Sequence, residues 1–212
     1  FQNIYGNREG ELGSWGSLMD TPSNFDPSDF FNTGMTEMNG FTLTTGTEQN
    51  QTYASVSTTN STGILPNNAY NRYNFSIRNT AKFCDNKLSL DLGAQYIIQN
   101  NKNMVGSGQY FNPLVSLYLF PRGENFQEVQ MYERYSEARN LMVQYWPESI
   151  FGTDLDMQNP YWIMNRMQNE LSKRRYMFNA SLKWDITDWV NVTGRVRVDN
   201  SDSDSCEKYS AS

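Results

Sequence analysis

The chain has 212 residues, with 17 Lys and Arg against 23 Asp and Glu, a net charge of −6 and no histidine. An acidic chain lacks the broad positive field that nucleic acid requires. The missing imidazole removes Ser-His-Asp and Cys-His catalysis and the commonest transition-metal ligand.

Hydrophobic residues make up only 38%, yet aromatic residues reach 14%, too many for simple disorder. No apolar run is long enough for a transmembrane helix. Transmembrane strands escape that test, because half their side chains face water.

Residues 1–35 read as a segment leading into the first strand. They show no basic-then-apolar leader. The start at Phe1 and the end in Tyr209-Ser210-Ala211-Ser212 fit a piece cut from a longer chain and, less well, a processed mature protein.

The region 36–99 reads as four strands. Phe41-Thr42-Leu43-Thr44-Thr45 runs through a polar turn at 46–50 into Thr52-Tyr53-Ala54-Ser55-Val56-Ser57-Thr58, a first hairpin. Next, Tyr73, Phe75, Ile77, Asn79, Ala81 and Phe83 fall on one face of an alternating run. The short turn Asp85-Asn86 leads to Leu88, Leu90, Leu92, Ala94, Tyr96 and Ile98 on one face, with Ile97 alone out of pattern. Period-two alternation around a tight Asp-Asn turn predicts a β-hairpin.

Region 100–170 reads as one long loop. Region 171–212 repeats the alternation and runs out into the start of another loop. Tyr176, Phe178, Ala180, Leu182, Trp184 and Ile186 share a face. After Thr187-Asp188 come Val190, Val192, Gly194, Val196 and Val198. The fold expected is all-β, an antiparallel meander of about six strands with one long loop.

Three features favour a transmembrane β-barrel fragment over a soluble sandwich, which also alternates. Short turns at one end face a medium loop (61–71) and the very long loop at the other, as in outer-membrane barrels. In the two clearest hairpins the charges, Arg78, Lys82, Asp91, Arg175, Lys183, Asp185, Arg195, Arg197 and Asp199, all fall on the polar faces. Aromatics near strand ends, Tyr73, Phe83, Tyr96, Tyr176, Trp184 and Trp189, fit headgroup-level girdles. On this reading the long loop is extracellular. Arg78, Arg195 and Arg197 point into the lumen, where Arg195 and Arg197 line a substrate path or, more simply, form ion-pair ladders with neighbouring strands or contacts to a plug.

Within the loop, Tyr110, Trp146, Tyr161 and Trp162 are candidate contacts for a ligand or partner. The plainer alternative is that these rings pack the loop into a compact flap, and Pro113 and Pro160 favour defined turns there. Residues 127–140 lack Gly and Pro and are expected to form a short helix, with Glu133 and Glu137 one turn apart. Asp154 and Asp156 supply too few oxygens for calcium. No motif supports an enzyme, no metal or other cofactor is implied, and Cys84 and Cys206 match no zinc or redox spacing.

The segments around the hairpins carry a resemblance. In order they are Phe30-Phe31-Asn32-Thr33-Gly34, Thr45-Gly46-Thr47-Glu48, Gly63-Ile64-Leu65-Pro66-Asn67-Asn68 and Arg72-Tyr73-Asn74. Then come Asn112-Pro113-Leu114, Phe120-Pro121-Arg122-Gly123, Asn159-Pro160-Tyr161-Trp162, Arg174-Arg175-Tyr176 and the stretch from Asp188 through Trp189 to Arg195. Their order resembles the early-to-middle barrel of the SusC/RagA family of TonB-dependent outer-membrane transporters.

The resemblance implies a barrel of about 22 strands around an N-terminal plug. It implies import of oligosaccharides or peptides across the outer membrane of a Gram-negative bacterium. The implied partners are a SusD-like surface lipoprotein, the TonB complex acting through a plug outside this stretch, and outer-membrane lipid. A soluble carbohydrate-binding β-module is the competing reading.

Overall fold

The computed structural model describes residues 5–7, 14–21, 26–108, 110–120, 125–146 and 158–210. A small hairpin of β1 (Tyr5–Asn7) and β2 (Ser14–Leu18) comes first. A 3-10 turn, Pro27–Phe30, follows, capped where the Asp26 side chain accepts from the Ser28 amide.

The main body is one antiparallel sheet of six strands. Its members are β3 (Met35–Gly46), β4 (Asn50–Thr62), β5 (Ala69–Phe83), β6 (Leu88–Lys102), β9 (Gln168–Thr187) and β10 (Val190–Lys208). Each pairs with the strand before it in this series, so the sheet is a meander with β3 and β10 at its edges. The sheet is not closed into a barrel.

The registers explain why alternation dominated the sequence. Phe41, Val56, Phe75, Tyr96 and Tyr176 lie in one cross-strand row, and Leu43, Ala54, Ile77, Ala94, Phe178 and Val198 in the next of that face. A one-residue slip of any strand would send its apolar set to the opposite face. Aromatic and β-branched neighbours across strands supply the pairwise contacts that hold the ladder.

Short turns close one end of the sheet. In the β5–β6 turn Cys84, Asp85 and Asn86 all take positive φ (53°, 56° and 68°). Asp and Asn tolerate that conformation through local side-chain hydrogen bonding, whereas Cys does not have that help. At the β3–β4 turn Gly46 has φ 150°, and a Cβ there would sit 2.1 Å from the Asn50 carbonyl oxygen.

Long connections occupy the opposite end and carry the hydrophobic core. Helix α1 (Pro113–Leu119), α2 (Phe126–Val129), a small hairpin of β7 (Glu133–Ser136) and β8 (Leu141–Gln144), and α3 (Pro160–Arg166) fold together. Their buried cluster is Phe30, Leu65, Leu117, Phe120, Phe126, Val129, Ile163 and Met164. It draws on the 3-10 turn and the β4–β5 loop as well as on the long loop, so the loop is a packed cap.

Two expectations change here. Residues 127–140 do not form one helix: α2 ends at Val129 and the β7–β8 hairpin follows, turning with Asn140 at φ 53°. Arg166 draws Glu133 into a tertiary ion pair, so Glu133 and Glu137 do not share a helical face. The last strand also runs on to Lys208, beyond the alternating stretch that closes at Val198. Its Ser/Asp-rich stretch has no apolar period, but every residue from Ser201 to Lys208 has a register partner between Arg175 and Gln168. The main-chain ladder holds it where side-chain patterning is silent.

Candidate functional site

Three surfaces follow from this arrangement: an apolar face, a polar face and the cap. From Tyr73 to Phe83 on β5, Leu88 to Ile98 on β6, Tyr176 to Ile186 on β9 and Val192 to Asn200 on β10, the apolar face carries no charge. Its rings stand open, with Phe75 42%, Phe178 44%, Trp184 54% and Val196 62% exposed. Among the described residues no second layer covers it. Charges return only toward the cap, where Arg174 pairs in register with Asp202.

The opposite face is polar, with an open depression of about 850 Å3 over Tyr53, Arg78, Gln95, Asn179 and Arg197. Arg78 and Arg197 share one cross-strand row through Gly93 and Asn179, and Arg195 lies in the neighbouring same-face row with Asp91. Gly93 is buried, and a Cβ there would press on the Asn179 side-chain oxygen at 2.3 Å, so its lack of a side chain lets Asn179 lie across the row.

Arg78 grips Asp91 through two guanidinium nitrogens, with Nε 3.0 Å from Oδ1. Arg175 holds Asp199 in a two-pronged pair at 2.8 and 2.6 Å. Arg197 reaches the same carboxylate only at 3.8 Å. Arg195 has no carboxylate within ion-pair distance among the described residues. The ladder of pairs expected for this face is therefore partial: Arg78 belongs to it, Arg197 touches it and Arg195 stands outside it.

The cap places the four candidate loop aromatics very differently. Trp162 is 0% exposed, and Tyr161 packs edge-on against Phe30 with centroids 5.0 Å apart. Trp146 is half-buried against the same cluster. For Trp162 the ligand-contact expectation is corrected, because a side chain without exposed surface presents nothing to a partner. Tyr110 stays 43% exposed, with its ring 4.9 Å from that of Phe111. Burial raises the Tyr161 phenol above the ordinary tyrosine value because it disfavours the phenolate.

Pro113 and Pro160 both open helices. Asn112 caps α1 by accepting from the Leu114 amide at 3.0 Å, and Asn159 caps α3 by accepting from Tyr161 at 2.9 Å. Proline at the first helical position lacks an amide that would in any case go unpaired, and an asparagine cap satisfies the amides that follow.

Sequence reasoning missed the polar knot that fastens the cap to the sheet. Asn103, 5% exposed and at φ 50°, donates to the Asn67 carbonyl at 3.2 Å and the Met164 carbonyl at 3.3 Å. Its side-chain oxygen accepts from the Asn169 amide at 3.1 Å. Asn68 donates to the Asn103 carbonyl at 2.8 Å, and Asn67 reaches Asn165 at 2.8 Å. A density of asparagine at 67–68 and 100–103 was the only trace, and asparagine also marks ordinary turns. Nearby, Arg166 pairs with Glu133 at 2.6 and 3.0 Å, and that hydrogen bond raises the arginine further above its ordinary value.

Asp154 and Asp156 lie outside the described residues. Among the described residues no cluster of His, Cys, Asp or Glu is suited to a metal, and Cys84 and Cys206 are free and exposed. No described helix is long and apolar enough to cross a membrane, which leaves strands untouched as membrane-crossing elements. Compared with known proteins, the chain matches no family model and no curated protein.

Proposed function

We propose that this chain forms part of the wall of an outer-membrane transporter of the TonB-dependent, SusC/RagA type. The single observation that carries the reading is the open apolar face, free of charge from the Tyr176 row to the turn end, on an antiparallel meander whose core lies elsewhere, in the cap. A soluble sandwich buries that face against a second sheet. A membrane barrel gives it to lipid and turns the charged face to the lumen.

The dimensions agree. Tyr176 to Ile186 spans about 33 Å at ~3.3 Å per residue. A strand tilt of about 40° turns that into roughly 25 Å of height, the usual depth of the lipid-facing band. The free edges β3 and β10 then meet further strands, because an open edge in lipid leaves amides and carbonyls without partners.

On this reading the short turns are periplasmic and the cap is extracellular. The cap sits where a SusD-like lipoprotein and an oligosaccharide or peptide arrive, and TonB acts through a plug. The protein is a transporter and not an enzyme. Tyr110 is the most exposed of the three aromatics that remain candidate contacts, ahead of the partly buried Trp146 and Tyr161.

The test is fractionation of cells expressing the complete gene. The protein is expected in the outer membrane, shifting in gel mobility on heating as barrels do, with a lipoprotein co-purifying. Recovery as a folded soluble protein would overturn the reading and favour a carbohydrate-binding module.

A further inference from the structure

We propose that the polar face is a basic track for an oligoanionic solute, one bearing carboxylate, phosphate or sulfate groups at several positions. This rests on the transporter reading and narrows what such a wall would pass. The chain as a whole is acidic, at −6, yet its charges are segregated. In the six strands the polar face holds Arg72, Arg78, Lys82, Lys173, Arg175, Lys183, Arg195 and Arg197. Against them it holds Asp91, Asp185, Asp199 and Glu207, half as many.

Their order along the strands matters as much as their number. From the cap end, the outermost row of this face carries Glu207 and the next no charge; Arg72 and Lys173 share the row after that, and Arg175 falls in the one following. The following row holds Asp199, whose carboxylate Arg175 takes. Then come the Arg78 and Arg197 row, the Arg195 row, and finally Lys82 with Lys183. Same-face rows repeat about every 7 Å, so cations recur from the Arg72 row to the turn end over about 33 Å.

Ion pairing neutralises only part of this. Arg78, Arg175 and Lys183 have carboxylate partners. Lys82, Lys173 and Arg195 have none within ion-pair distance among the described residues, and Arg197 is at 3.8 Å from a carboxylate already engaged. A wall built only for structural pairing would balance its charges, because uncompensated like charges repel. Spaced cations lining a path are how pores select anions, and the guanidinium fork suits carboxylate and phosphate alike. The open depression of about 850 Å3 over Arg78 and Arg197 leaves room for such a solute.

The probe is inorganic tripolyphosphate, titrated into the intact full-length protein in detergent at low and high salt, with citrate in parallel to separate phosphate from carboxylate recognition. Lys173→Gln and Arg195→Gln are the variants, since neither strands a partner charge. Together they are expected to weaken binding about tenfold, and salt is expected to weaken the wild type. Lys173→Arg is expected to restore binding to a Lys173→Gln protein.

Unchanged affinity in a folded double variant would overturn the proposal. So would wild-type binding that arises only after an acidic segment of the protein's own chain is deleted, which would make that segment the occupant. A heat-modifiable outer-membrane protein without the effect ends the track and leaves the transporter reading standing. A soluble protein that shows it ends the transporter reading and keeps the anion site.

Discussion

Asn103 links the sheet to its cap through one side chain. It occupies a left-handed backbone position and satisfies two carbonyls and one amide with both ends of its amide group. Replacing it with alanine strands those groups and adds backbone strain, a cost of about 2 kcal/mol. The expected readout of Asn103→Ala is faster proteolysis within 105–160 with the sheet intact; protection equal to wild type would show the knot to be dispensable. Gly46→Ala is expected to cost about 2 kcal/mol or more, because its Cβ meets the Asn50 carbonyl oxygen, a backbone atom with little room to move. Denaturant unfolding checks this, and Gly40→Ala, with open space around the added methyl, is its control. Tyr161 gives the cap a pH dependence. Its phenol is raised above 10.0 by burial, so its contribution is complete below pH ~10 and is lost as pH rises through the folded value. Cap proteolysis is expected to accelerate above pH ~10 more in wild type than in Tyr161→Phe; equal acceleration would assign the effect elsewhere.

Among the elements, the hairpins were legible because each strand must hold its apolar set on one face through every neighbour, and that demand is written locally as alternation. Ile97, the residue out of pattern, is 8% exposed on the polar face between Asn74 and Arg175 in register. The β7–β8 hairpin was not legible. Its short strands are stabilised by the Glu133–Arg166 pair and by Arg134 lying 5.1 Å over the Tyr145 ring, contacts that no local period encodes. The outer half of β10 was missed for a similar reason, since its Ser/Asp run owes its conformation to β9. The cap core was missed because Phe30, Leu65, Leu117 and Ile163 come from four separate stretches. The paired charges on the polar face are expected to contribute little to stability. A double-mutant cycle on Arg78 and Asp91 should return a coupling of about 1 kcal/mol or less; several kcal/mol would mean the face is shielded from water.

At the scale of the whole molecule, the sheet has, among the described residues, two open edges, an uncovered apolar face and a core displaced to one end. Such a body has little reason to fold by itself in water. The isolated 212 residues are expected to show no cooperative thermal transition in plain buffer and to gain β-structure in detergent micelles. In the full protein, Val196→Arg is expected to impair barrel assembly by about 2–4 kcal/mol if that position lies near the bilayer midplane, whereas Asn179→Arg on the polar face is expected to assemble. The central claim is that the face bearing Phe178, Leu182 and Val196 meets lipid and the face bearing Asn179, Ser181 and Arg197 meets water. The most direct measurement is spin-label accessibility along β9 in native membranes, with single cysteines introduced from Tyr176 to Ile186. Alternation with period two is expected: even positions relaxed by oxygen dissolved in lipid, odd positions by a water-soluble nickel complex. Equal access of the nickel complex to both sets would contradict it.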